Sequence, residues 1–207
     1  MDFTLHVLVD PAQVALDEVG AFCEALAAGG ATIVQLRGKR ASGRELVTFG
    51  LILRRETRRT GLGLIVNDRV DIALAIEADG VHVGQEDIPV PLVRRLAPQL
   101  VIGLSVGSRE ELAVARAHRP DYIGMGPVYP TASKADAGPA LGVEAFKALR
   151  AEAADVAPVV AIGGIGPENV DAVWQAGADG IAVISAVMGA DDKREACRRL
   201  VEHHRAI

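Results

Sequence analysis

A chain of 207 residues, half of them hydrophobic, has the material for one sizeable core. Aromatics make up only 3%, so that core must be built from Val, Ile, Leu and Ala, which suits parallel strands under Ala-rich helices and disfavours an all-β sandwich. The formal charge of -5 is spread over interleaved acids and bases, without the basic tail or aromatic–basic stripe of a nucleic-acid binder, and no segment is apolar enough to span a bilayer.

Taken in chain order, short β-rich runs alternate with amphipathic segments. LHVLV (5–9) is the first strand, followed by a helical pattern from Val14 to Ala28 that exits at Gly29 and Gly30. TIVQL (32–36) precedes a helix from Arg44 to Thr60, closed by Gly61, and LIV (64–66) and GVHV (80–83) follow. VIGL (101–104) leads into a helix from Arg109 to His118, then YIGM (122–125) and VVAI (159–162). A helix from Glu168 to Ala176 ends at Gly177 before GIAVI (180–184), and Lys193 to His204 forms the last helix. The phrases EADGVHV and AGADGIAV repeat one sentence of helix end, turn and buried strand. About eight strands and eight helices alternate without a linker, which predicts an α/β chain folded as a single (β/α)8 TIM barrel over 1–207. An open doubly wound sheet is the rival, but it gathers its polar motifs at one switch point, whereas here they follow nearly every strand.

In a barrel the loops after the strands share one face. After the second strand come Gln35, Arg37 and Lys39; alternation puts Gln35 and Arg37 on one side. Arg37 offers a planar fork for phosphate oxygens and Lys39 a mobile point charge, unless both are ordinary surface cations. Asn67 and Asp68 follow the third strand and Asp87 the fourth. Each aspartate could simply open the next helix. Beside two cations, however, a carboxylate pair reads better as a Mg²⁺–diphosphate site, since Mg²⁺ binds through one or two carboxylates plus substrate phosphates. With Lys134, the charges and one Mg²⁺ leave about +3, a match for a diphosphate monoester near −3. Ser105 can donate to an oxyanion or cap the helix near Arg109, and His82 reads equally as a core histidine or a ligand contact. No G-x-S-x-G elbow supports a Ser-His-Asp hydrolase.

The segment GMGPVYPTASKADAGPALG after the sixth strand is long and irregular, as binding loops are. Thr131, Ser133 and local amides there can cradle a phosphate, with Lys134 reaching inward. The seventh and eighth strands run into Ile162-Gly163-Gly164 and Ile184-Ser185-Ala186, where close-approaching amides and a helix start suit an anion. Charged hydrogen bonds, at roughly 1.5–3 kcal/mol each, outweigh the ~0.3–1 of a helix terminus. Two anion sites are thus expected on one face. Cys23 and Cys197 lie far from any CxxC pattern and read as buried thiols rather than a zinc site. The N-terminus lacks a basic n-region, and a cytoplasmic protein is expected.

The stretches VQLRGK, VNDRVDIA, DGVHVGQEDIP, IGLS, GPVYPTASK, VAIGGI and ISA, in that order, closely resemble the thiamine-phosphate synthases over nearly the whole chain. The resemblance implies a (β/α)8 transferase that joins a hydroxymethylpyrimidine diphosphate to a thiazole phosphate and releases pyrophosphate. Carried over by position, the pyrimidine diphosphate would meet Gln35, Leu36, Arg37, Gly38, Lys39, Asn67, Ser105 and Lys134, with Arg37, Lys39 and Lys134 catalytic. Mg²⁺ would sit on Asp68 and Asp87. The thiazole phosphate would take Thr131, Ala132, Ser133, Gly164, Ile184 and Ser185. The partners implied are phosphorylated small molecules, with no nucleic acid and no membrane; a homo-oligomer stays open. Two departures stand out. Ser133 replaces a usual threonine, keeping the hydroxyl, and Gly107 stands where relatives often carry histidine. The second argues against the sister thiazole tautomerases, which look to need that histidine as an acid/base group. A thiazole isomerase and a non-catalytic phosphate binder are the alternatives.

Overall fold

The computed structural model describes residues 1–131, 133, 138–202 and 204. Eight parallel strands close into a barrel in sequence order: β1 (Leu5–Val9), β2 (Ile33–Leu36), β3 (Gly63–Asn67), β4 (Gly80–Val83), β5 (Val101–Val106), β6 (Tyr122–Met125), β7 (Val159–Ile162) and β8 (Gly180–Val183). The last strand returns to the first, with His6 opposite Ala182. Around them run α1 (Val19–Ala28), α2 (Gly43–Thr60), α3 (Val70–Ala75), α4 (Val90–Leu96), α5 (Arg109–His118), α6 (Val143–Glu152), α7 (Val170–Gln175), α8 (Ser185–Met188) and α9 (Lys193–Val201). The (β/α)8 expectation holds, with α8 as an extra turn before the closing helix. None of the described helices is long and apolar enough to cross a membrane.

Several boundaries shift by a residue or more from the sequence pattern, and three of the shifts have a clear local reason. The first helix starts at Val19 rather than Val14, because an Asp10–Gln13 capping box closes a separate 3-10 turn and leaves Val14 extended. The helix predicted from Glu168 begins at Val170, since the Asn169 side chain accepts from the Gly166 N–H and holds the preceding turn. The fifth strand runs on through Ser105 and Val106, so Ser105 is a strand residue, and the cap of α5 is Ser108, whose side chain accepts from the Glu111 N–H.

Alternation along the strands makes two apolar layers. Leu8, Ile33, Ile65, Tyr122, Val160 and Ala182 fill the barrel interior, while the larger cluster lies between sheet and helices. Cys23 and Cys197 are buried free thiols in that outer layer, and burial pushes both up to about 12.

The floor of the barrel carries a device repeated along the chain. Asp79, just ahead of β4, accepts from the Leu64 N–H of β3 at 2.8 Å and from Arg54 of α2 at 2.7 Å. Asp121 ahead of β6 does the same for Ile102 at 2.7 Å and Arg94 at 2.8 Å. Asp179 ahead of β8 serves Val159 at 2.7 Å and Arg150 at 3.1 Å. Thr32, preceding β2, plays the neutral version by accepting from the Leu5 N–H at 3.1 Å. The repeated phrases in the sequence carry this aspartate. Each one ties a helix to two strands at the end opposite the loops. Because the Asp79 carboxylate satisfies a strand amide as well as Arg54, Asp79→Ala should cost about 2–4 kcal/mol. Urea unfolding would read this as a lower midpoint at unchanged slope. Glu77→Gln, at the exposed Arg58–Glu77 pair, should leave the midpoint where it is.

Candidate active site

The strand C-termini open into a cavity of about 920 Å³. Of the residues singled out in the sequence, Arg37, Lys39, Asn67, Asp68, Asp87, Ser105, Thr131, Ser133, Gly164, Ile184 and Ser185 line it. Ala132 and Lys134 lie outside the described residues. Three others do not reach it with their side chains. Gln35 is 4% exposed and sits in register with Leu8 and Ile65 of the interior layer, one row beneath Arg37. Leu36 points the other way, into the outer core beside Gly50 of α2. Gly38 lies against Leu46, Ala41 and Pro11. Leu36 and Gly38 can therefore offer a ligand only backbone groups.

At the β2–β4 end, Lys39 Nζ stands 2.8 Å from Asp68 Oδ2. Neither aspartate caps a helix. Asp68 has φ 63, in the left-handed region that a side chain rarely adopts, and its N–H donates to His82 O at 2.7 Å. Asp87 accepts from the Gly84 N–H at 2.7 Å, while α4 begins after Pro89. Burial is the main cause that raises the Asp87 pKa above the usual carboxylate range. The Gly84 amide works against it, and the Asp68 carboxylate, close enough to share a hydrogen bond, pushes it further up. Among the described residues no three His, Cys, Asp or Glu side chains cluster for a metal. A cation here would lean on this carboxylate pair and on ligand oxygens, the pattern of Mg²⁺ rather than zinc.

Below the middle of the mouth lies a residue that the sequence pattern does not single out, Tyr122, paired with the His82 that it does. His82 is a buried histidine whose Nδ1 lies 2.8 Å from the Tyr122 hydroxyl and whose Nε2 lies 2.9 Å from Ser105 Oγ. Gln85 Nε2 donates to Ser105 O at 2.7 Å. His82 and Tyr122 meet across β5 because the row-mate between them is Gly103, where a Cβ would fall 2.2 Å from Tyr122 Cζ and 2.5 Å from His82 Nδ1. A glycine inside a strand was the available signal.

At the β6–β8 end, Gly163 and Gly164 have φ 102 and 64, and a Cβ on either would strike the segment Pro127–Pro130. Tyr129 N–H donates to Gly163 O, and Asn169 Nδ2 to Gly164 O, both at 2.9 Å. The glycine pair thus seats the β6–α6 loop as well as baring amides. Thr131 Oγ1 accepts from the Ser133 N–H at 3.2 Å. α8 is a single turn, so amides and hydroxyls outweigh any helix dipole there. At the position of the missing histidine, the Gly107 N–H donates to Glu111 at 2.6 Å, and a Cβ would stand 3.1 Å from Gly126 O.

The fold is a (β/α)8 barrel whose polar side chains converge on one cavity at the strand C-termini. The chain belongs to the thiamine monophosphate synthase family, whose sequence model matches residues 5–187. It is 51% identical to the thiamine-phosphate synthase of Moorella thermoacetica over 176 residues, 84% of this chain and 83% of that one. With the Chloroflexus aurantiacus thiamine-phosphate synthase it shares 46% over 200 residues, 97% and 92% of the two chains. A solved structure of thiamine phosphate pyrophosphorylase from Pyrococcus furiosus superposes with a TM-score of 0.86 at 43% identity, covering 99% of this chain and 96% of that one.

The raised Asp87 pKa has a consequence for stability. An acid whose folded pKa lies above its unfolded value releases its proton more readily when unfolded, so stability falls as pH rises between the two values. Asp87→Asn should therefore stabilise the ligand-free chain at pH 7 and lose that advantage near pH 3. Paired urea titrations across pH check the sign.

Proposed function

We propose that the chain condenses 4-amino-5-hydroxymethyl-2-methylpyrimidine diphosphate with a thiazole phosphate, giving thiamine monophosphate and pyrophosphate. The observation that carries this reading is the division of one cavity. Arg37, Lys39, Asp68 and Asp87 stand at its β2–β4 end, and the neutral hydroxyls and amides of Thr131, Ser133, Gly164 and Ser185 at the other. Two anionic reactants of different charge need two such ends.

The pyrimidine diphosphate belongs at the charged end and the thiazole phosphate in the neutral cradle. Asp68 and Asp87 would hold a Mg²⁺, whose contribution is to neutralise the diphosphate as it departs. Arg37 takes phosphate oxygens in its fork, Lys39 and Lys134 add point charges, and Asn67 and Ser105 orient the pyrimidine portion. The bond from the pyrimidine methylene carbon to the diphosphate oxygen breaks, both electrons leaving with pyrophosphate. The electron-rich aminopyrimidine bears the cation until the thiazole nitrogen donates its lone pair to that carbon. No protein nucleophile is needed, and catalysis is positioning plus stabilisation of the leaving charge.

Purified chain mixed with both substrates and Mg²⁺ should release pyrophosphate in step with product. Proton exchange on the thiazole phosphate alone, with no pyrophosphate, would replace this reading by an isomerase, and binding without turnover by a scaffold. Lys134→Ala should lower kcat by about 10²–10³ while the thiazole phosphate KM stays within a few-fold. Equal, small losses in both would remove Lys134 from the leaving-group role.

A further inference from the structure

We infer that Tyr122 is a positioning residue that sets the hydrogen-bond polarity of Ser105: it donates to His82 Nδ1, so that His82 Nε2 donates to Ser105 Oγ and the serine hydrogen points at the ligand. The inference rests on the mouth being the ligand site described above and adds a residue that never touches the ligand.

Every hydrogen in this dry place needs an acceptor. Tyr122 is 1% exposed, and burial raises its phenol well above the ordinary range, so it keeps its proton. Among the described residues, its hydroxyl has His82 Nδ1 as partner, at 2.8 Å. The other imidazole against the Tyr122 ring, His6, has neither nitrogen hydrogen-bonded and offers no alternative acceptor. Were His82 Nδ1 to carry the hydrogen, the phenol would have to accept it, and its own hydrogen would be buried without an acceptor. The phenol therefore donates. A neutral imidazole with Nδ1 accepting carries its hydrogen on Nε2, and the atom 2.9 Å from Nε2 is Ser105 Oγ.

Ser105 lines the cavity, and because it accepts from His82 rather than donating to it, its own hydrogen is available to the mouth. The serine then presents a donor to an acceptor atom on the ligand, a ring-nitrogen lone pair or a phosphate oxygen. Gly103 exists in this row to let the relay form: any Cβ there would lie between phenol and imidazole.

Histidine-labelled full-length chain, with the His82 ring assigned through its contacts to Tyr122, gives the direct test by ¹⁵N NMR. Nε2 should show a bound hydrogen and Nδ1 none at neutral pH; the opposite pattern, or hydrogen on both, overturns the inference. This measurement needs no variant and no turnover. A chain that releases no pyrophosphate would sink the proposed function while the ring pattern still decides the relay. Kinetically, Tyr122→Phe and Ser105→Ala should each lower kcat about tenfold with the thiazole phosphate KM within about twofold. Tyr122→Phe added to Ser105→Ala should then cost nothing further, because the relay has lost its end. Additive losses would mean that Tyr122 acts through packing alone.

Discussion

In a closed parallel barrel every strand delivers its last residue to the same rim, and the rest of this molecule depends on that constraint. Arg37, Asp68, Asp87, Thr131, Gly164 and Ser185 are scattered along most of the sequence, yet they surround one cavity because chain direction leaves no other place for them. The opposite rim receives the strand starts, and there the same geometry gathers Asp79, Asp121 and Asp179 onto strand amides and arginines. One face thus satisfies its charges internally, and the other gathers its polar groups around a cavity.

The contrast between the two rims is energetic. On the floor each carboxylate meets an amide and a guanidinium, an arrangement that favours the folded state. At the mouth Asp68 holds a left-handed backbone and Asp87 is half-buried next to a like charge, two features that work against folding. Lys39 offsets part of that repulsion through its contact with Asp68.

Small residues shape the mouth as much as charged ones. Gly163 and Gly164 let the segment Pro127–Pro130 lie on the end of β7, which brings Thr131 and Ser133 over the cavity. Gly103 lets a histidine from β4 and a tyrosine from β6 touch across β5. In both cases the absent side chain is what permits a long-range contact.

The eight strands, the barrel and most of the rim were legible from the sequence, because strand alternation, helix exits and motif order are local properties that parallel closure turns directly into position. The capping roles open to Asp68, Asp87 and Ser105 were equally local readings; tertiary contacts decided against two of them, tying Asp68 to the end of β4 and Ser105 to His82, while a competing local turn at Gly84 took Asp87. Leu36 joined the ligand residues by its place in a motif, but the pleat turns it toward α2. Tyr122 was invisible for the same physical reason. A tyrosine opening an apolar strand reads as core, and its partner His82 lies 40 positions earlier in the chain. The sequence alone determined which residues reach the rim, since that follows from periodicity along the chain. Which of them bond to one another was decided only by the tertiary structure, since such pairs depend on distances across the barrel that no local pattern encodes.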